Sequence, residues 1–388
     1  MEKRVIASTK FGYEMPIDEA LKMSGLEAGI CYLPEDFDTL ASEDESKTVR
    51  RYNGNMNSKH HSVFGHVHYN FLFEGMPKIL AMTLNNEKAY CTSEKSARYT
   101  KMETTGREQK LYEKWIKIFS DVIGEKYSDF DEKTIVKLAK ENARYLISVF
   151  TPATTMGYTV SLQQMSYILH MMDRFVKEEK DTPFNAKLKE WYKEFIELNK
   201  VYMLDGISPG SKNRKLSFIS YNIKSDPKEE FGYNYTTVYY ATFAQLAQAQ
   251  RHRTISYEII PQSLQENRCY IPPIIRNTDY ESEWLGDYYS LSANYPQGRL
   301  VKVVERGTVD NFILKCKERL CGCAQLEIQE QTRVTLNKYI RATDSYEHLR
   351  SINKYLRLYA NGPRCTFPDY ECSKPCIFGP KNAFNRII

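Results

Sequence analysis

A strand-like segment followed directly by a helix-like segment occurs twice in this chain of 388 residues. In the first half, apolar residues alternate with other residues over 67–73, as in a half-buried strand, and an apolar, helix-like segment follows over 76–84. In the second half, residues 233–240 are again strand-like, and 241–250 form an Ala/Gln-rich helix candidate. This repeated order is the strongest constraint on the fold, because it predicts two copies of one half-chain unit.

The repeat also predicts where the two units meet. Matching residues 85–87 with 251–253 gives an offset of 166 residues. Residues 205–215 are polar and rich in Gly, Pro and Ser, as in a linker. We therefore predict a first unit over 1–204, a linker over 205–215 and a second unit over 216–388.

Helical patterns fill most of the remaining sequence. Few strands among many helices favour an α+β fold, in which each unit has a small mixed or antiparallel sheet and long helices. The sequence has no Gly-x-Gly-x-x-Gly and no phosphate-loop motif, so any nucleotide chemistry requires another scaffold. The helices are predicted over 107–127, 132–150, 185–204 and 333–358.

Composition excludes several classes of function. Apolar residues make up 42% of the chain and charged residues 27%, as in ordinary globular proteins. The net charge of +5 is too small to predict wrapping by nucleic acid, so we expect no nucleic-acid partner. The first residues lack the apolar region of a signal peptide, and no segment is apolar enough to span a membrane. We therefore expect a cytoplasmic protein.

The nine cysteines are an odd number in a chain without a predicted signal peptide, which favours reduced thiols over a disulfide framework. No Cys-x-x-Cys pair is present, so ordinary thiols are favoured over a metal site, although the crowding near the C-terminus keeps a metal open as an alternative. Six of them fall in the last quarter: Cys316, Cys321, Cys323, Cys365, Cys372 and Cys376.

The triplet Arg251, His252 and Arg253 follows the helix candidate of the second half. Such a triplet could be a solvated basic turn. However, residues 243–250 are small and apolar, and 256–261 are also largely apolar. A basic triplet between buried segments favours a pocket, because a desolvated guanidinium needs an anionic partner.

These residues resemble the flavin-dependent thymidylate synthases. That family's signature is Arg-His-Arg, seven spacer residues, then Ser and shortly Arg-Tyr, preceded by a His-containing strand entry. The first half is similar over 60–66 and over 93–99, which contains Glu94, Ser96, Arg98 and Tyr99, but it has residues 85–87, Asn-Asn-Glu, in place of Arg-His-Arg. The second half has the Arg-His-Arg triplet without the Ser-x-Arg-Tyr. The signature is thus divided between the halves.

Two further segments extend the resemblance. The stretch from Glu141 to Pro152 is similar to the family's Ala-Arg helix, whose arginine contacts the nucleotide phosphate and corresponds to Arg144. The stretch from Arg319 to Gln329 is similar to the family's C-terminal Arg and Ala-Gln-x-Glu-Ile pattern. In the first half, Met172 takes the position of that C-terminal arginine.

The resemblance implies an enzyme that methylates deoxyuridine monophosphate (dUMP), using FAD, methylenetetrahydrofolate and NADPH. It implies two tandem synthase-like units and a homodimer that reproduces the family's tetramer. Arg319 is the expected catalytic residue, beside the uracil ring. The expected dUMP-binding residues are Glu94, Ser96, Arg98, Arg144, Gln248, Arg251 and Arg319. The expected FAD-binding residues are His60, Ser62, Tyr99, Arg251, His252, Arg253 and Gln325.

Other interpretations stay open at this point. A diverged relative could add a different one-carbon group to dUMP, such as hydroxymethyl, and a non-catalytic nucleotide-binding or nucleic-acid-binding protein could keep the same fold. The histidines His60, His61 and His66 could be polar groups satisfied at a strand start. Arg98 and Arg144 could form ion pairs on helix surfaces.

Overall fold

The chain forms two compact units in this computed structural model, which describes residues 12–210, 215–219, 227–373 and 376–388. Unit 1 contains the described residues within Met1–Phe73, Glu87–Ser93 and Met156–Leu216. Unit 2 contains those within Glu74–Asn86, Glu94–Thr155 and Ser217–Ile388. Residues 211–214 of the predicted linker lie outside the described residues.

Among its described residues, unit 1 contains a three-stranded sheet and five α-helices. In the sheet, the strand Thr154–Ser161 lies between His68–Met76 and Cys91–Glu94, so the last strand in sequence is the central one. The elements are α1 (Ile17–Tyr32), α2 (Phe37–Ala41), α3 (Glu45–Asn57), β1 (His68–Met76), β2 (Cys91–Glu94), β3 (Thr154–Ser161), α7 (Leu162–Glu178) and α8 (Pro183–Leu198), with the ends of β1, β2 and β3 assigned to unit 2.

Unit 2 contains a four-stranded sheet, in which the strands follow one another in the order β4 (Glu230–Phe231), β5 (Asn234–Thr242), β7 (Leu300–Thr308) and β6 (Ser256–Ile259). The pairing of β5 with β7 is antiparallel and runs from Asn234 opposite Thr308 to Thr242 opposite Leu300. The elements are α4 (Lys78–Asn86), α5 (Gly106–Lys126), α6 (Glu132–Ala143), β4 (Glu230–Phe231), β5 (Asn234–Thr242), α9 (Phe243–Ala249), β6 (Ser256–Ile259), α10 (Asp279–Leu291), β7 (Leu300–Thr308), α11 (Val309–Arg319), α12 (Leu326–Asp344), α13 (Arg350–Arg357) and α14 (Gly379–Asn382).

Strands pass directly into helices at hydroxyl residues. Ser161 ends β3 and accepts a hydrogen bond from the backbone N–H of Gln164, so it is the N-cap of α7. Thr242 does the same between β5 and α9, and Thr308 between β7 and α11. An N-cap hydroxyl satisfies one of the free backbone donors of the first helical turn. These caps allow each strand to pass into a helix with no intervening loop.

The two sheets share one order of elements. Leaving aside the short β4, each half runs strand, helix, strand, one or two α-helices, then strand and helix, and the third of these strands lies between the other two in its sheet. From His68 at the start of β1 to Asn234 at the start of β5 is 166 residues, which equals the offset found in the sequence. Mixed helices and small sheets confirm the predicted α+β class.

The compact units do not coincide with the predicted halves. Helices α5 and α6 come from the first half but belong to unit 2. The reason is a shared aromatic core, in which Trp115 of α5 packs edge-on against Trp284 of α10 with ring centroids 4.8 Å apart. Both indoles are fully buried. The boundary over 205–215 therefore stays a prediction about the repeat.

Several element bounds differ from the sequence prediction. The helix predicted over 132–150 ends at Ala143, and the one predicted over 333–358 is two helices, α12 and α13. The strands β2, β3, β4, β6 and β7 were not predicted. The signal for β3 was present, because every second residue, such as Met156, Tyr158 and Val160, is buried.

Among the described residues, no helix combines the length and apolar character that crossing a membrane requires.

Replacing Trp284 with alanine should destabilise unit 2 by about 3–5 kcal/mol, the usual cost of removing a buried aromatic side chain. Besides its packing, the indole N–H donates to the carbonyl of Tyr270 at 2.9 Å. The measurement is urea unfolding followed by tryptophan fluorescence. Tyr289→Ala is the control, because the Tyr289 side chain lies on the same helix and is 48% exposed. Equal losses in both variants would contradict this assignment of the core.

Candidate functional site

Unit 2 contains a cavity of about 160 Å³, roughly ten times what one water molecule needs. Six cationic side chains line it, and Glu94 is the one carboxylate among the described residues in its wall. The cavity therefore has a large excess of positive charge and fits an anionic ligand. The cations are Lys78, Lys95, Arg98, Arg144, Arg251 and Arg319.

Three of the arginines lie at helix C-termini. Arg319 is the last residue of α11, Arg144 directly follows α6, and Arg251 follows the last turn of α9. A helix C-terminus carries partial negative charge on its free carbonyls, which stabilises nearby cations. The fold thus brings guanidinium groups together at helix ends, where the partial negative charge reduces the free-energy cost of their mutual repulsion.

Arg98 is held by two contacts outside the cavity wall. Its Nε donates to Glu141 of α6, and its Nη2 donates to the backbone carbonyl of Cys323 at 2.8 Å. The Glu141 side chain is 4% exposed, so this ion pair is shielded from water. Arg98 is thereby fixed, and Glu141 offsets much of its charge.

A buried polar network supports Arg144. Its Nη2 donates to Gln325 Oε1, which also accepts from Gln248, and the Gln325 amide N–H donates to the Tyr145 hydroxyl. Tyr145 in turn donates to Glu327 Oε2 at 3.0 Å. Within the described residues, Arg144 Nε and Gln248 Oε1 are buried without a hydrogen-bond partner. They are an unused donor and an unused acceptor in two residues that line the cavity.

Glu327 anchors the far end of this network. Thr242 donates to it twice, from its backbone N–H at 2.8 Å and from its hydroxyl at 2.7 Å. Burial raises the pKa of Glu327, and the hydrogen bonds from Thr242 and Tyr145 lower it. Burial is the larger effect, so the pKa is raised to about 7. The carboxyl group therefore changes protonation near neutral pH.

Arg319 is oriented by the segment after α9. Its Nε donates to His252 Nε2 at 2.8 Å, and its Nη2 donates to the carbonyl of Gln248 at 3.2 Å. Burial, and then the positive charges of Arg319 and Lys315, lower the pKa of His252 to about 2. Burial also lowers the pKa of Arg319. The imidazole is therefore neutral at physiological pH.

Glu94 lies between two cations of the wall. Its Oε1 is 2.6 Å from Lys78 Nζ, and its Oε2 is 3.8 Å from Arg251. The Glu94 side chain is 4% exposed, whereas that of Arg251 is 35% exposed. Glu94 thus neutralises Lys78 and leaves Arg251 largely available to a ligand.

All seven residues expected to bind dUMP lie together, although the two halves of the sequence supply different ones. The first half supplies Glu94, Ser96, Arg98 and Arg144, and the second half supplies Gln248, Arg251 and Arg319, and all seven line the cavity.

The residues expected to bind FAD do not converge in the same way. Tyr99 lines the cavity and is 64% exposed. His252 and Gln325 are buried and hydrogen-bonded to lining residues instead of lining it themselves. Arg253 is exposed in the turn after α9. His60 and Ser62 belong to unit 1 and are not lining residues.

Several residues of the site were not predicted from the sequence. Lys78, Lys95 and Gln297 line the cavity, and Glu141 pairs with Arg98 from behind. Lys95 lies between Glu94 and Ser96 in the segment 93–99 and could have been found there. Glu141 could not, because its partner is 43 residues away in the sequence.

The free energy of unfolding should depend on pH through Glu327. Its pKa in the folded state is about 7, above the ordinary value of 4.5, so the folded state binds the proton more tightly than the unfolded state does. The contribution of Glu327 to the free energy of unfolding is therefore complete below pH 4.5 and is lost as pH rises through 7. Glu327→Gln keeps the shape and cannot ionise. From pH 4.5 to 8 the wild type should therefore lose up to about 3 kcal/mol relative to this variant, measured by urea unfolding. The exposed Glu347→Gln is the control, and parallel curves for wild type and Glu327→Gln would contradict the shift.

Comparison with known proteins adds one finding about the first half. Residues 17–179 match the family model described as thymidylate synthase complementing protein. The resemblance drawn from the sequence is thereby confirmed over these residues. No curated protein sequence matches the chain significantly.

Proposed function

We propose that this chain, with its match to the thymidylate synthase complementing family, is an FAD-dependent thymidylate synthase that methylates dUMP. The family match supports a thymidylate synthase-type enzyme in the broad sense. The observation that carries the finer proposal is the cavity itself. It combines the Ser-x-Arg-Tyr residues of the first half with Gln248, Arg251 and Arg319 of the second half. Neither half contains all of them.

The charge of the cavity supports a nucleotide monophosphate. Arg144 has no ion pair with a carboxylate in the described part of the chain, and its Nε lacks a hydrogen-bond partner there. A phosphate dianion is a good partner for guanidinium groups, which bind it through several parallel hydrogen bonds. We assign the phosphate to Arg98, Arg144 and the hydroxyl of Ser96.

Arg319 suits the reacting ring. Attack on the pyrimidine places negative charge on its N3 and O4 edge, and a fixed cation there stabilises the transition state. Among the described residues, Arg319 Nη1 makes no hydrogen bond, since Nε and Nη2 contact His252 and Gln248. We therefore assign Arg319 to the ring and Gln248 Oε1, a buried acceptor, to a ring N–H.

The fit to FAD is partial. Arg251, Tyr99 and Arg253 are exposed enough to contact it, whereas His252 and Gln325 are already engaged in buried hydrogen bonds. FAD reduced by NADPH would supply the hydride, and methylenetetrahydrofolate the carbon. In this proposal the chain's own residues bind the nucleotide, orient it and stabilise charge on its ring.

We also propose that the chain is a tandem duplication and acts as a homodimer with one site, and one FAD, in each chain. The shared order of elements and the 166-residue offset support the duplication. Asn86 takes a position of the missing Arg-His-Arg triplet and is hydrogen-bonded to Ser217 and the carbonyl of Tyr257. Met172 is fully buried. The first half thus lacks the cations that a second site needs.

The function is tested by incubating the protein with dUMP, methylenetetrahydrofolate, NADPH and FAD, then measuring the mass of the nucleotide. We expect thymidine monophosphate, and a yellow protein with one FAD per chain and a dimeric mass by light scattering. Hydroxymethylated nucleotide would replace the proposed reaction with that of a diverged relative. A colourless protein that binds dUMP without turnover would reduce the function to binding.

Arg319→Ala should lower kcat by on the order of 10² or more, because the variant loses a cation present where charge develops. FAD content should not change, and dUMP binding should weaken less than kcat falls, since the phosphate contacts remain. Steady-state kinetics and flavin absorbance measure both. Arg350→Ala is the control, because that side chain is 80% exposed. Unchanged turnover in Arg319→Ala would remove it from the catalytic assignment.

A mixture of Arg98→Ala and Arg319→Ala proteins should stay inactive after their subunits exchange. Both residues line one cavity of a single compact unit, so each mixed dimer carries one defect in each of its sites. The measurement is product formation after mixing, with exchange checked by mass. Recovery of activity would instead place the two residues in one site shared by two chains.

A further inference from the structure

His252 is the central residue of the basic triplet, and its environment differs from that of its neighbours. Its side chain is 9% exposed, whereas Arg251 and Arg253 are exposed. It is not among the residues that line the cavity. Its ring contacts Arg319, which does line the cavity, through the 2.8 Å hydrogen bond from Arg319 Nε.

The chemistry of the two groups fixes the direction of that bond. A guanidinium has donors only, so His252 Nε2 must accept, and its ring proton must lie on Nδ1. Gln248 lies four residues before His252 in the same segment, and its backbone carbonyl accepts a hydrogen bond from Arg319 Nη2. Two acceptors of one short segment therefore hold two nitrogens of one guanidinium, which fixes its plane as well as its position.

We infer that His252 is a positioning residue, which holds the guanidinium of Arg319 in place for the reacting ring, and not a ligand of FAD. The inference rests on the proposed function in taking Arg319 as the ring-facing group. A bond to FAD through Nε2 would require His252 to release Arg319. The resemblance implied that His252 binds FAD. In the structure its Nε2 instead accepts the hydrogen bond from Arg319.

The surrounding charges keep the imidazole in the accepting form. The charged groups that face His252 are Arg319 and Lys315, both on α11, and burial together with these two cations lowers its pKa to about 2. Lys315 is itself paired with Glu305 of β7 at 2.6 Å, with both side chains fully buried. Protonation of His252 would remove the acceptor and place a third cation in this space, so the contact persists across physiological pH.

The experiment compares His252→Gln, whose amide oxygen can accept from Arg319, with His252→Ala, which has no acceptor. We expect His252→Ala to lose about 10-fold or more in kcat, as displaced catalytic groups do, with FAD content and the KM for dUMP nearly unchanged. His252→Gln should recover most of that loss. The control is His348→Gln, because His348 is exposed and does not line the cavity. Equal loss of bound FAD in both His252 variants would overturn the inference.

A second measurement does not depend on activity. Nitrogen NMR of histidine-labelled wild-type protein should show one ring with its proton on Nδ1 and no titration between pH 5 and 8, and His252→Gln should remove that signal. A ring that titrates in this range, or carries its proton on Nε2, would overturn the inference. If the wild type forms no product, the proposed function fails, and this spectrum still decides the role of the His252 ring.

Discussion

Repulsion among like charges is the constraint on which this site depends. Six cationic side chains line one cavity, and their mutual repulsion costs free energy unless nearby groups compensate part of the charge. Glu94 and Glu141 offset Lys78 and Arg98 directly. Helix C-termini lie near Arg144, Arg251 and Arg319, and the imidazole beside Arg319 is neutral. The compensation is incomplete, and the remaining charge is what an anionic ligand would neutralise.

A buried polar network makes this arrangement rigid. Gln325 connects Arg144 and Gln248 to Tyr145, and Tyr145 connects them to Glu327, which is fixed by Thr242 at the start of α9. A buried polar atom left without a partner costs about 1–3 kcal/mol, so such atoms are uncommon in folded proteins. Within the described residues, the network leaves two buried atoms of lining residues without a partner, Arg144 Nε and Gln248 Oε1.

The sequence predicted much of this site because its motifs lie at the ends of regular elements, where helices and strands direct side chains to one place. Arg319 at the end of α11 and Ser96 after β2 are examples. Pairings between distant segments were not predictable, such as Glu141 with Arg98 or Trp115 with Trp284, because no local pattern encodes them. The same limit explains the units, since α5 and α6 pack with a core from the second half.

The proposed duplication explains why each half could lose part of the signature. When residues from both halves line a single cavity, a second set of cations has no ligand to neutralise, and their burial would only cost free energy. Asn86 shows the alternative use of such a position. Its amide donates to Ser217 and to the carbonyl of Tyr257, and its side-chain oxygen accepts from Gln250 at 3.1 Å. The uncharged amide thus joins segments of both halves, next to the triplet that the second half has kept. A buried cation without an anion would cost more free energy at this position.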